Sequence, residues 1–213
     1  MFEFFSIGLM ALGGYLLGSI SGSLVLGRFR GVDIRALGSG NAGGTNALRT
    51  VGWKFALGVV LIDVGKGVLA AAVLPLILAS SGSAEWLLFG SVAGFAAVIG
   101  HIWPVYFRFK GGKGAGTAVG VVLGLAPWCI LPLLTVWLVT IIGTGYVGLA
   151  TILAGLSLVP AMWLLGPEPL PAALGTLAIA LAVILIFTHR ENLARMRTGT
   201  ENRFEKARLI KRR

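Results

Sequence analysis

Apolar residues in this chain come in long blocks separated by short polar clusters. Uncharged runs cover residues 4–27, 67–84, 86–107, 114–167 and 169–189, and roughly 20 apolar residues suffice to cross a bilayer core as a helix. The pattern predicts an all-α, polytopic integral membrane bundle. The run 114–167 is too long for one crossing. Its natural breaks are Pro127-Trp128 and Gly143-Thr144-Gly145, because proline interrupts the helical ladder and glycine relaxes it. Small residues at helical spacing, Gly14/Gly18/Gly22, Gly90/Gly94 and Gly116/Gly120/Gly124, predict close helix packing.

Composition excludes a water-soluble monomer: 56% of the residues are hydrophobic and 12% are charged. The net charge of +10 would suggest nucleic acid in a soluble protein, but the positions of the charges argue against that partner. Apart from Lys66, every Lys and Arg falls in one of three patches: Arg28 to Lys54, Arg108 to Lys113, and Arg190 to Arg213. By the positive-inside bias these are cytoplasmic. The intervening segments 1–3, 80–85 and 166–171 contain no Lys or Arg, so they face outward.

Parity then requires an odd number of crossings between 114 and 167. Three give about seven transmembrane helices in a single membrane domain, 1–213, with the N-terminus outside and the C-terminus cytoplasmic. The motif loops 28–54 and 107–116 and the tail 189–213 share the cytoplasmic face. Spans four and five come out unusually short, and a re-entrant pair is the competing reading of them. The opening Met1-Phe2-Glu3 lacks the basic start of a cleavable signal, so the first helix is expected to stay. Cys129 is the only cysteine and reads as apolar filler, not a metal ligand. The basic tail is expected to lie along anionic lipid.

Chemistry collects in three places. Residues 33–49 concentrate Ser39, Gly40, Asn41, Gly43, Thr45 and Asn46 between Asp33, Arg35 and Arg49, which reads as an anion cradle of backbone N–H groups, hydroxyls and amides ahead of a helix starting near Thr45. Gly38-x-Gly40-x-x-Gly43 matches the dinucleotide fingerprint but follows a membrane helix, with no βαβ unit available. The second place is His101, then Gly111, Gly112, Lys113 and Gly114, where glycines and an ammonium could close around an anion and His101 could cap or orient the loop. The third is His189, Asn192, Arg195 and Glu201, at the exit of the last span. Asp63 and Lys66 are three residues apart inside the second span; they should share a helix face and neutralise each other as a supporting pair.

Phosphate ligands on one predicted face, next to lipid, point to an enzyme that joins a phosphorylated polar substrate to an apolar one. A phosphometabolite transporter is the alternative, although ligands at one face and the lack of an internal repeat fit it poorly. A purely structural membrane protein leaves the Ser/Asn/Thr density of 39–46 without a purpose.

These motifs resemble those of the acyl-phosphate-dependent glycerol-3-phosphate acyltransferase family of bacteria, PlsY. The likeness rests on Asp33-x-Arg35 through Gly38-Ser39-Gly40-Asn41, Thr45-Asn46 and Arg49; on Gly100-His101 and Pro104 with Phe109-Lys110-Gly111-Gly112-Lys113-Gly114; and on His189-Arg190-x-Asn192 with Arg195, Gly199 and Glu201. It implies acyl transfer from acyl phosphate to the sn-1 hydroxyl of glycerol 3-phosphate, giving lysophosphatidic acid and phosphate, in the bacterial inner membrane. It implies no cofactor and no obligate protein partner beyond membrane lipid. In that reading His189, Lys113, Asn192 and Arg49 are catalytic. Ser39, Gly40, Asn41, Gly43, Thr45, Asn46, Gly111, Gly112, Gly114 and Glu201 bind substrate phosphate, while Asp33, Arg35, Asp63, Lys66 and His101 support them.

One departure stands out. Where the family carries a serine early in the sixth span, this chain has Gly148, with Thr151 one turn on. The chain also lacks the His-x4-Asp dyad of thioester-dependent acyltransferases and a Gly-x-Ser-x-Gly elbow. Direct attack by the hydroxyl on an already activated donor is therefore expected, with His189 or a substrate phosphate taking the proton.

Overall fold

The computed structural model describes residues 2–204, which are helical with no strand among them. Ten α-helices follow one another: α1 (Phe2–Gly18), α2 (Gly22–Phe29), α3 (Gly44–Thr50), α4 (Trp53–Val68), α5 (Ala84–Ile102), α6 (Ala115–Leu125), α7 (Ile130–Thr144), α8 (Val147–Leu165), α9 (Ala172–Thr188) and α10 (Arg190–Arg197). They divide into two compact units, Met1–Leu125 and Ala126–Arg213.

By length and composition, four continuous stretches can cross a membrane: Trp53–Ile77, Ala84–Phe107, Pro127–Thr144 and Val147–Leu165. Two bent pairs, α1 with α2 (41°) and α9 with α10 (49°), each pass as one broken span, and α6 is a shorter apolar helix. Length and composition thus support four spans, or six if each bent pair is one, where seven were expected; α6 stands in the place of the expected fourth. The fourth is short, as expected. The fifth is not, because Pro127–Cys129 forms a 3-10 turn that leads directly into α7. Proline is well placed in a first turn, where its missing N–H costs nothing. At the other break α7 ends as expected, with Gly145 at φ 78 accepting the left-handed cap.

In the first unit α1 packs on α5, and α4 on α6. A Cβ at Gly14 would collide with the Ala93 backbone, and one at Gly120 with the Val64 carbonyl, so helix backbones touch directly there. The segment that follows α2 is anchored by apolar side chains. Ile34, Ala42 and Ala47 are fully buried against Leu24, Phe55 and Val59, and burial of Ile34 alone contributes roughly 1.5–3 kcal/mol. In the second unit α8 packs against α7, α9 and α10. Cys129 is buried, in keeping with the filler reading. The basic tail beyond residue 204 lies outside the described residues.

Candidate active site

The first uncharged run, 4–27, is not one helix: it breaks at Ser19–Ser21. All three serines nearby, Ser19, Ser21 and Ser23, are buried. The break leaves carbonyls at the end of α1 and N–H groups at the start of α2 without helical partners, and Asp63 and Lys66 of α4 supply them. Lys66 Nζ donates to the carbonyls of Gly18 (2.8 Å) and Ile20 (2.9 Å). Asp63 Oδ1 accepts the Gly22 N–H at 3.0 Å, and the two side chains pair at 3.1 Å. A cation at a helix C-terminus and an anion at the next N-terminus are each favoured by the helix dipole. The pair thus bridges the two sides of the broken span. The alternation Ser19-x-Ser21-x-Ser23 was the available sequence signal for that break.

The 33–49 segment is ordered by its own polar groups. Asn46 is buried, and its Nδ2 donates to the carbonyls of Leu37 (2.9 Å), Ile34 (3.1 Å) and Asn41 (3.1 Å) while Oδ1 accepts the Ser39 N–H (3.0 Å). The amide expected to bind phosphate is instead spent in holding the turn. Gly38 and Gly40 have φ of 56 and 72, a region glycine enters without steric cost. The Gly40 N–H goes to the Leu37 carbonyl and the Gly43 N–H to the Asn41 carbonyl, both at 3.0 Å. The backbone cradle read from the sequence is therefore occupied at Ser39, Gly40 and Gly43. Ser39 carries an exposed side chain, and Asn41 and Thr45 are partly exposed. The helix expected near Thr45 is α3, with Arg49 in its last turn.

The second loop shows the same economy. The Gly111 and Gly112 N–H groups donate at 3.1 Å to the carbonyls of Ile102 and His101, closing the end of α5 instead of pointing outward. Gly114, at φ 86 and buried against Val98 and Ile102, turns the chain into α6. Lys113 is half-buried beside it. Arg108 and Phe109 are consecutive left-handed residues (φ 57 and 58), a conformation that costs a non-glycine residue about 1–2 kcal/mol.

Arg35 holds the carbonyls on either side of that pair, donating Nη1 to Lys110 O (3.2 Å) and Phe107 O (3.4 Å). Asp33 orients the guanidinium through Nη2–Oδ2 at 2.8 Å and Nε–Oδ1 at 3.0 Å. Hydrogen bonds from the Arg35 side chain hold the Asp33 carboxyl below the usual range, and Asp33 in turn raises Arg35. Asp33 and Arg35 thereby tie the 33–49 segment to the turn at 107–110.

In the second unit His189 caps α9 and is buried. Its Nδ1 lies 2.8 Å from the Leu185 carbonyl. A carbonyl can only accept, so Nδ1 carries a proton, which in the neutral ring leaves the lone pair on Nε2. Asn192 follows in the first turn of α10 and donates Nδ2 to Glu201 Oε1 (2.6 Å), while Arg195 Nε donates to Glu201 Oε2 (2.7 Å). Glu201 was expected to bind phosphate, but both carboxylate oxygens brace Asn192 and Arg195, and its charge would repel a phosphate. A Cβ at Gly148 would stand within 3.0 Å of three Asn192 side-chain atoms, so Asn192 packs directly on the Gly148 backbone. Thr151 does not replace that serine, since its hydroxyl donates to Val147 O at 2.9 Å.

Sequence reasoning missed Tyr146 and Arg203. The guanidinium stacks 4.9 Å from the Tyr146 ring centroid and donates to its hydroxyl at 2.8 Å, and the Phe204 N–H donates to Gly145 O. The Arg-x3-Gly-x-Glu ending of the motif stopped two residues short of that contact.

A sequence profile of the glycerol-3-phosphate acyltransferase family matches residues 8–199. The chain is 45% identical over 199 residues to the glycerol-3-phosphate acyltransferase of Agrobacterium fabrum, covering 92% of this chain and 91% of that one. To the Aquifex aeolicus protein of the same description it is 40% identical over 190 residues, covering 89% and 95%. Its fold is similar to the crystal structure of PlsY (YgiH), an integral membrane glycerol 3-phosphate acyltransferase, in the glycerol 3-phosphate form, with TM-score 0.83 and 36% identity over 93% of this chain and 96% of that one. The lysophosphatidic acid form of PlsY matches with TM-score 0.83 and 34% identity, covering 95% and 98%. This chain belongs to the glycerol-3-phosphate acyltransferase family.

Proposed function

We propose that the protein transfers an acyl group from acyl phosphate to the sn-1 hydroxyl of glycerol 3-phosphate, releasing lysophosphatidic acid and phosphate. The observation that carries this reading is the setting of His189. Its Nε2 lone pair is fixed by the Nδ1–H bond to Leu185, next to the braced Asn192, where an apolar span ends. A base held there suits a reaction between a polar hydroxyl and a lipid-borne acyl group.

The hydroxyl oxygen attacks the acyl carbon, and its proton passes to His189 Nε2. The bond from that carbon to the phosphate oxygen breaks, and phosphate leaves with the electron pair. Acyl phosphate needs no activation by the protein, so orientation supplies most of the acceleration. Both substrates carry up to about two negative charges on phosphate. Arg49 and Lys113 offset them, with Ser39, Asn41 and Thr45 donating from the loop, and Asn192 holds a substrate oxygen. The protein works as one membrane domain of the bacterial inner membrane, with its N-terminus outside and the motif loops and basic tail facing the cytoplasm.

Purified protein given labelled glycerol 3-phosphate should make lysophosphatidic acid with acyl phosphate and far less with an acyl thioester. Equal turnover with the thioester would overturn the assignment of the donor.

A further inference from the structure

Beyond the broken span, the buried Asp63–Lys66 pair has a third partner. His101 Nδ1 is 2.8 Å from Lys66 Nζ and 3.4 Å from Asp63 Oδ1. A proton on Nδ1 would point at an ammonium at hydrogen-bond distance, donor against donor. Asp63 Oδ1 is the longer contact of the two, so the geometry favours Nδ1 as an acceptor from Lys66, which would place the ring proton on Nε2. The far edge of the ring faces the loops: a Cβ at Gly112 would overlap His101 Nε2 and stand 2.7 Å from the Ala42 carbonyl. The main chain is tied in at the same place, with His101 O and Ile102 O accepting the Gly112 and Gly111 N–H groups. Ala42 lies one residue after Asn41, and Gly112 one residue before Lys113.

We propose that His101 is a positioning residue for phosphate binding. The ion pair of α4 fixes its ring as the Nε2–H tautomer, and that ring edge is the wall on which the 39–46 turn and the 110–114 loop close. The residues that hold phosphate, Asn41 and Lys113, take their positions from it. The proposal rests on the acyltransfer reading for its kinetic consequence but not for its tautomer. Misplaced loops weaken the binding of phosphate in ground state and transition state alike, which raises KM and leaves kcat little changed.

The chain has two histidines, so 15N-histidine spectra of the full-length protein in bilayers resolve them, with His101→Gln identifying the His101 signals. At neutral pH, His101 should be protonated at Nε2 and bare at Nδ1. A proton on Nδ1, or a doubly protonated ring, would overturn the proposal, and if His101→Gln failed to fold, His189→Gln would separate the two signals instead. In kinetics, His101→Asn keeps an acceptor near Lys66 but removes the edge facing Gly112. It should raise KM for glycerol 3-phosphate or acyl phosphate by roughly tenfold, the scale of one hydrogen bond, with kcat within about twofold. His101→Gln, which can reach the Nε2 position, should recover part of that loss. Equal loss of kcat in both variants at unchanged KM would reduce His101 to a core residue. If the wild-type protein made no lysophosphatidic acid while the tautomer was as stated, the acyltransfer reading would fail and the ion-pair geometry would stand.

Discussion

His101 and His189 occupy similar places, each at the end of a long apolar helix and each buried, yet their rings are set oppositely. Around His101 the nearest neighbour of Nδ1 is the Lys66 ammonium, with Asp63 Oδ1 farther off, and in the proposed arrangement the imidazole presents a proton on Nε2. Around His189 the neighbour is the Leu185 carbonyl, which must accept, so the imidazole presents a lone pair on Nε2. One group outside the ring decides whether the same side chain serves as a fixed donor or as a base. The surroundings differ in the same sense: His101 stands on a buried ion pair that spans a helix break, whereas His189 lies beside Asn192, whose side chain Glu201 holds.

The sharpest way to break this contrast is to remove each ring in turn. His189→Ala should lower kcat by about 10²–10⁴-fold, the usual contribution of a general base, with KM changed far less. That is the reverse of the His101 pattern. Steady-state kinetics with both substrates varied would check it, and near-normal kcat in His189→Ala would remove the base from the account.

Ser39→Ala comes next. The N–H groups of Ser39, Gly40 and Gly43 are committed within the turn, so the hydroxyl has little backbone help. Its loss should reduce kcat/KM by roughly ten- to a thousandfold, the range for a strong donor to developing charge. Glu201→Gln keeps the size of the brace but loses the charge that pairs with Arg195. It should lower kcat by a smaller factor, about tenfold for one charge-assisted hydrogen bond, and leave the His101-dependent KM untouched.

The smallest expected effect is that of Asp33→Asn. Because the folded-state pKa of Asp33 lies below its unfolded value, its contribution to stability is present above about pH 4 and is lost as pH falls through the folded value. The side chain is half exposed, so solvent screening keeps the contribution under about 1 kcal/mol. Melting curves of wild type and variant should differ slightly at pH 7 and converge in acid.

Much of the fold was legible because charge and hydropathy are one-dimensional signals in a membrane chain. The breaks at Pro127 and Gly145 follow from backbone chemistry written at those residues. The break at Ser19–Ser21 left only the serine alternation as a signal, since three hydroxyls barely interrupt an apolar run and the groups that stabilise it, Asp63 and Lys66, come from another helix. The same limit applies at the site. Composition located the loops at 33–49 and 110–114, but not which donors are already spent. The N–H groups of Gly111 and Gly112 looked free because the carbonyls that take them, at the end of α5, become neighbours only through folding. That the side chains of Asn46 and Glu201 hydrogen-bond within the fold was not legible for the same reason, whereas the nearness of His189 and Asn192 along the chain needed only helical spacing.

In the proposed reaction acyl transfer is direct, with His189 acting on the substrate hydroxyl and not on a protein nucleophile. Mixing the full-length protein with radiolabelled acyl phosphate in the absence of glycerol 3-phosphate, then quenching rapidly into denaturant, tests it most directly. The account predicts no acyl group on the denatured chain, and prompt formation of lysophosphatidic acid once acceptor is added. Stoichiometric label on the protein, with Ser39 the first residue to examine, chased into product by acceptor, would contradict it.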